Sequence, residues 1–206
     1  AARLFIRANE LLPPEPGPAG GKWPYRSALF GSLFEHEEVV TRIAKLRPDD
    51  LTLWVHRGHY YALRGQWKQA LCGYARASDD FTYQIYHAYA LLLTGDEEGY
   101  RCACRRMAAR FGQTDQPDVA WYLVLSCSVD PESGIDPARL VEWAQLSLRS
   151  GRVARRLRAL ALAYYRSDKF DQAVTLLHEA MDLPEPEPEW LAAFPLALAY
   201  RALGQE

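Results

Sequence analysis

Apolar residues recur every three or four positions through Leu53–Ala77, LWVHRGHYYALRGQWKQALCGYARA, and that period predicts two short amphipathic helices joined by a tight turn at Leu63–Gln66. Trp54, Gly58 and Tyr61 fall at i, i+4 and i+7, so they line one face of the first helix. Gly65 is placed to take the left-handed conformation that ends it. Trp67, Ala70, Tyr74 and Ala77 make the stripe of the second helix, with small Ala70 letting the pair approach. A hairpin of this size cannot bury its second face alone, so the pattern predicts neighbours of the same kind.

The rest of the chain supplies them. Leu11–Pro24 is dominated by Pro and Gly, so residues 1–24 read as an N-terminal segment and linker. From Ser27 to Leu46 a helical pattern resumes with Leu33, Val40 and Ile43 as buried positions, and Ser32 with Glu35 has the spacing of a capping box. Asp50 is placed to cap the helix that carries Trp54. Thr82–Leu93 is the next front helix, and Glu97–Phe111 follows with Tyr100, Ala103, Met107 and Phe111 on its stripe. Pro117 opens a strongly apolar helix over Asp118–Val129. Asp136-Pro137 restarts a helix to Ser150, with Leu140, Trp143, Ala144 and Leu148 inside. Val153–Arg166 carries Leu157, Leu160, Ala161 and Tyr164; after a turn at Ser167–Lys169, Phe170–Met181 carries Ala173, Val174, Leu177 and Ala180. The units are therefore about 25–50, 51–80, 81–114, 117–150 and 153–186, with a terminal helix over 188–204, all in one repeat domain over 25–206.

WKQALCGYARA and FDQAVTLLHEA share an aromatic, two polar residues, Ala, and an apolar pattern closing on Ala. Gly31 precedes Gly65 by 34 residues, and Pro48 precedes Thr82 by the same 34. The chain here resembles the tetratricopeptide repeat family. Trp54-x2-Arg57-Gly58-x2-Tyr61, Ala70-x3-Tyr74 and Ala77 follow the family pattern, departing at Arg57. Leu160-Ala161-x2-Tyr164, Ala173-x3-Leu177 and Ala180 follow it again. The unit at 82–111 keeps Ala88, Leu91, Gly95 and Met107 but has Tyr100 where a small Ala is expected, and the unit at 117–150 departs further. The resemblance implies an all-α, right-handed superhelical solenoid of tetratricopeptide-like hairpins over roughly residues 25–204. It also implies a scaffold that binds a partner protein's peptide or helix in a concave groove. In texture the chain is similar, too, to C-terminal repeat regions of large bacterial signalling proteins, where such repeats follow kinase or WD-repeat domains.

Composition adds limits. With 49% hydrophobic and 24% charged residues the chain is expected to fold. A net charge of −2 is too balanced to require nucleic acid or an anionic membrane as a partner. No apolar run reaches the ~18 residues of a membrane span, and AARLFIRANELL is too short in its apolar core for a signal peptide. The start lacks Met, which reads as a domain of a longer protein. Cys72, Cys102, Cys104 and Cys127 do not make a disulfide scaffold in a chain this long, which points to a reducing, cytoplasmic setting.

Candidate chemistry is sparse. Cys102 and Cys104 stand about 200° apart on a helix, so both sulfurs cannot face one metal ion, and they read as small hydrophobes or surface residues. His56 and His59 lack a nearby acid or Cys to complete a metal site and read as polar helix surface. No glycine-rich phosphate loop, G-x-S-x-G or H-E-x-x-H occurs, so neither an enzyme nor a cofactor is expected. Arg152, Arg155 and Arg156, within a cluster that includes Arg149 and Arg158, share a helix face. That face suits an acidic peptide, while a solvated face paired with local Glu is the plainer reading. The stripe of Val55, His59 and Ala62 lies opposite Trp54 and Tyr61. The expected groove is accordingly Val55, His59, Ile85, Tyr86, Tyr89 and Tyr122, flanked by Arg155 and Arg158. It would run along the front helices 51–63, 82–93, 118–129 and 153–166. The alternative is a structural spacer or self-association module without extrinsic ligand, a homodimer forming where Leu196, Tyr200 and Leu203 of the last helix leave an apolar face for a second chain.

Overall fold

A computed structural model describes residues 37–46 and 48–183, and every regular element among them is helical. The linker over 1–24, the expected Ser32/Glu35 cap, Leu33 and the terminal helix over 188–204 lie outside the described residues, as do the side chains of Val40 and Ile43. The chain divides into two compact units after Asp79. No described helix is long and apolar enough to cross a membrane.

In the first unit, α1 (Glu37–Leu46) packs on α2 (Leu51–Ala62), which packs on α3 (Trp67–Arg76). The α2–α3 crossing is closer than Ala70 alone would allow. A Cβ on Gly58 would stand 2.3 Å from the Tyr74 ring, and one on Gly73 would stand 2.7 Å from the Trp54 carbonyl oxygen. Two glycines thus let one backbone lie against the other, and Ala70, Tyr74 and Ala77 fill the flanks in full burial. Trp54 is only half-buried. The guanidinium groups of Arg57 and Arg76 lie 5.8 and 4.7 Å from its ring centroid, and its indole N–H donates to the Pro48 carbonyl at 3.0 Å. Arg57, the departure from the repeat pattern, also sits 4.9 Å from the Tyr61 ring, so its charge covers an aromatic face. Asp50 does stand at the N-cap of α2, but its side chain makes no capping hydrogen bond.

The second unit contains α4 (Gln84–Leu93), α5 (Glu97–Phe111), α6 (Pro117–Cys127), α7 (Pro137–Ser147), α8 (Ala154–Arg166) and α9 (Phe170–Asp182), with 3-10 turns at Pro131–Ser133 and Leu148–Ser150. Sequential helices pack pairwise. In addition α6 lies beside α4 and beside α8, so the alternate helices form a row. The core is the set of stripes expected from the sequence: Tyr100, Ala103 and Met107, then Leu140, Trp143 and Ala144, then Leu157, Leu160 and Ala161, then Ala173, Leu177 and Ala180. Phe111, Leu148, Tyr164 and Val174 are only partly covered.

Tyr100 explains its own departure from the small residue expected there. It is buried, and its hydroxyl donates to the Ser126 carbonyl at 2.9 Å, satisfying an acceptor at the C-terminal end of α6. The ring thus carries a polar tip to the end of α6, where the Cys104 thiol also donates to the Ser126 carbonyl at 3.8 Å.

Three helix ends share one geometry. Gln66 N–H reaches back to Tyr61 O (3.0 Å), Asp96 N–H to Leu91 O (2.9 Å) and Lys169 N–H to Tyr164 O (2.9 Å), each spanning a left-handed residue: Gly65 (φ 68°), Gly95 (φ 78°) and Asp168 (φ 57°). This is the six-to-one closure of a glycine-ended helix, built at the third site on a residue that has a Cβ. A side chain in that region costs roughly 1 kcal/mol, less for Asp than for most. Asp168→Gly is therefore expected to raise unfolding stability by about 0.5 kcal/mol, read as a small rise in thermal midpoint. An unchanged or lower midpoint would count against the strain.

Candidate functional site

The second unit presents a run of aromatic side chains along its row of alternate helices. Tyr122 on α6 meets Phe81 edge-on at 5.7 Å and Trp121 at 4.8 Å. Trp121 in turn donates its indole N–H to the Arg155 carbonyl at 3.4 Å, while the Arg155 guanidinium lies 5.5 Å from the indole ring. Phe81 also meets Phe111 at 6.2 Å. Tyr86, on α4, is close enough to Tyr122 to raise its pKa, and at 38% exposure it is one of the large hydrophobic side chains left open to solvent. Edge-to-face pairs of this kind hold rings rigid, so the surface has little rotamer freedom left to lose on binding.

The hydroxyls on this surface stay protonated at neutral pH. Burial pushes Tyr89 up to about 12, with Tyr86 adding to the effect. Tyr86 and Tyr122 are raised for the same first cause, burial, and then by neighbouring Tyr83 and Tyr86 respectively. They offer neutral donors and acceptors beside flat apolar faces, and Arg155 adds a guanidinium at one end of the run.

The structure sorts the expected groove residues. Tyr86, Tyr122 and Arg155 are brought together, and Ile85 sits half-buried on α4 beside Tyr86. Tyr89 is half-buried and donates to the Leu125 carbonyl of α6 at 3.3 Å, which makes it a tie between front helices. Arg158 is half-buried one turn along α8 from Arg155. Val55 belongs to the first unit and is 4% exposed, so it is core and not surface. The reason is that α2 buries Leu53, Val55, Tyr60 and Tyr61 on more than one face, because α1 and α3 both pack on it. His59, also of the first unit, lies edge-on to Tyr74 at 5.5 Å and 6.3 Å from His56. Burial, with His56 adding to it, lowers its pKa to about 4. It is a neutral ring packed on the hairpin.

The basic cluster around the start of α8 resolves into separate tasks. Arg152 makes a two-pronged ion pair with Glu179 of α9, with contacts of 2.6 and 2.7 Å. Arg156 is 4% exposed; it donates to the Ser147 carbonyl at 2.7 Å and pairs with Asp118 at the start of α6. The shared face expected for Arg152, Arg155 and Arg156 is thus internal pairing at two of its three positions, and Arg155 alone of the three stacks on the aromatic run.

A cleft of about 270 Å³ opens elsewhere in this unit, lined by Asp130, Ile135, Leu140, Tyr165, Arg166 and Phe170 among others. Its cation is already committed: Arg166 donates to the carbonyl oxygens of Ser128 and Val129 at 2.7 and 2.5 Å. Cys102 is exposed and Cys104 buried, as their opposed placement on one helix requires. No group of His, Cys, Asp and Glu suited to a metal ion occurs among the described residues.

Sequence reading misses Trp121 and Phe81 as parts of this surface. α6 is apolar nearly all round, PDVAWYLVLSC, so periodicity cannot say which of its rings faces outward. Phe81 lies in the turn before α4, where no helical period applies. The adjacency Trp121-Tyr122 is the one available signal, since two neighbouring rings on one helix cannot both enter the same core face. No family model matches the chain, and no curated protein matches it.

Proposed function

We propose that this chain is a protein–protein interaction module, a solenoid of tetratricopeptide-like hairpins that docks an extended peptide or helix of a partner. The single observation that carries this reading is the run Phe81–Tyr122–Trp121–Arg155, with exposed Tyr86 beside it, laid across three helices. Aromatic side chains and Arg are what energetic centres of protein interfaces favour, because each buries a large rigid area at low entropic cost. The three six-to-one helix ends and the pairwise packing with alternate helices in a row support a repeat of helical hairpins. The ligand best suited to the surface places an apolar or aromatic anchor between Tyr86 and Trp121 and a carboxylate on Arg155.

An unbiased peptide-display selection on the full chain tests the proposal. Selected peptides should carry an apolar anchor, and Tyr86→Ala should weaken them at least tenfold, a loss of about 1.4 kcal/mol or more. Tyr86 is the choice because its exposure makes the substitution tolerable to the fold. Selected peptides that bind the variant as tightly as the parent would place the interaction elsewhere.

A further inference from the structure

Two charges of opposite sign stand at the two ends of the aromatic run, and neither has an ion-pair partner among the described residues. Arg155, the second residue of α8, is exposed and rests its guanidinium 5.5 Å from the Trp121 ring. The other two arginines of its face are neutralised, Arg152 by Glu179 and Arg156 by Asp118. At the far end, half-buried Asp80 builds the turn that leads into α4. Its Oδ1 accepts the Thr82 N–H at 2.8 Å, and its carbonyl accepts from the N–H groups of Tyr83 and Gln84 at 3.1 Å each. Those bonds hold the residue in place immediately before Phe81, the first ring of the run. They leave Oδ2 without a hydrogen bond among the described residues.

Because α6 lies beside both α4 and α8, its rings Tyr122 and Trp121 fall between these two charges. Steps of 5.7, 4.8 and 5.5 Å lead from the Phe81 ring through Tyr122 and Trp121 to the Arg155 guanidinium. An extended chain covers that path in no more than about five residues at ~3.3 Å each. The Tyr122 hydroxyl feels both ends. Burial first, then Tyr86 and Asp118, raise its pKa, while Arg155 lowers it and Asp80 raises it.

We propose that this surface reads the polarity of its ligand: an extended partner peptide that sets an acidic residue on Arg155, a basic residue on Asp80 and an apolar anchor between them. The inference rests on the reading of the aromatic run as a docking surface and adds which charges the ligand carries and at which end. Ring contacts alone are non-directional, so a peptide could slide along the run or lie on it either way round. Opposite charges at the two ends remove that freedom. In the reverse orientation the acid would face Asp80 and the base Arg155, which sets like charges together twice. The planar guanidinium of Arg155, already held on the indole, presents its fork to a carboxylate with little further ordering.

A double-mutant cycle between chain and peptide tests this, with display-selected peptides capped at both termini so that only side chains carry charge. The selected pool should place an acid and a base on opposite sides of the apolar anchor, within about five residues of each other. Replacing the peptide's base by Gln should weaken binding to the parent chain about threefold in low salt and leave binding to Asp80→Asn unchanged. Replacing its acid by Gln should cost about threefold on the parent and on Asp80→Asn alike, and nothing on Arg155→Gln. Asp80→Asn retains an oxygen for the Thr82 N–H, so its melting temperature should hold. Both effects should shrink in 1 M salt, where screening acts within about 3 Å. Peptides that need Tyr86 but carry no opposed charges, or whose two charges respond equally to both chain variants, would overturn the inference and leave the docking surface standing. A peptide base whose loss costs nothing on the parent chain overturns it as well, whatever the folding of either variant. Peptides indifferent to Tyr86→Ala would remove the surface and this inference together.

Discussion

Gly73→Ala is expected to lower the unfolding free energy by about 2 kcal/mol, although a helix-interior Gly→Ala change ordinarily raises it by about 1. The added methyl would stand 2.7 Å from the Trp54 carbonyl oxygen, 2.8 Å from Gly58 N and 3.0 Å from Gly58 Cα. All three are backbone atoms, so no side-chain rotation relieves the contact and α2 must move away from α3. Separation of the helices would then loosen Ala70, Tyr74 and Ala77, which are buried in the same unit. Gly65→Ala makes the informative comparison. A Cβ there meets nothing within 4 Å, so its cost is confined to the positive φ of 68°, roughly 1 kcal/mol. Chemical denaturation should thus rank Gly73→Ala as the more damaging of the two. Equal or reversed effects would mean that the two helices do not lie backbone to backbone.

Acid should destabilise the protein between pH 6.5 and about 4, well before most carboxylates titrate in full. His59 and His87 both have pKa values lowered from 6.5 to about 4, first by burial and then by His56 and Arg106 respectively; Asp96 partly opposes the lowering at His87. Below pH 6.5 the unfolded chain takes up protons that the folded chain refuses, so stability is complete above that value and falls as pH drops towards 4. Below about 4 these two groups protonate in both states and contribute no further loss. A tenfold difference in proton affinity between folded and unfolded chain corresponds to about 1.4 kcal/mol; allowing for solvent access to both rings leaves about 1–2 kcal/mol each, or roughly 3 together. Urea midpoints measured across this window should decline for the parent chain. With His59→Gln and His87→Gln combined, that decline should flatten. A slope untouched by the double change would place the titrating groups elsewhere.

Local helical structure is legible in the sequence because it depends on short-range periodicity. Gly65 ends α2 in the left-handed conformation expected of it, and the stripes on α5, α7, α8 and α9 are largely buried as expected. Readings that depend on a helix's second face are less secure. Val55 lies opposite Trp54 and Tyr61, which assigns it to a groove, yet α2 is covered by helices on both sides. The same blindness hides Trp121 on the nearly all-apolar α6. Long-range partners leave no local trace at all. Nothing around Arg156 announces that its partner is Asp118, 38 residues earlier, so a cluster of like charges reads as surface when one member is almost wholly buried. Likewise sequence spacing pairs Cys104 with Cys102, its neighbour along the chain, whereas its thiol points to the Ser126 carbonyl of α6, 22 residues later. The candidate surface is half legible for this reason: its Tyr and Arg members can be picked by residue type, but the rings that link them are set by tertiary packing.

The central claim is that the aromatic run of the second unit is where a partner docks. Its most direct measurement is the dissociation constant of a display-selected peptide, by calorimetry, for the parent chain and for Tyr86→Ala in one buffer. The account predicts a loss of at least tenfold with an unchanged melting temperature. Undiminished affinity in a variant that melts like the parent would contradict it.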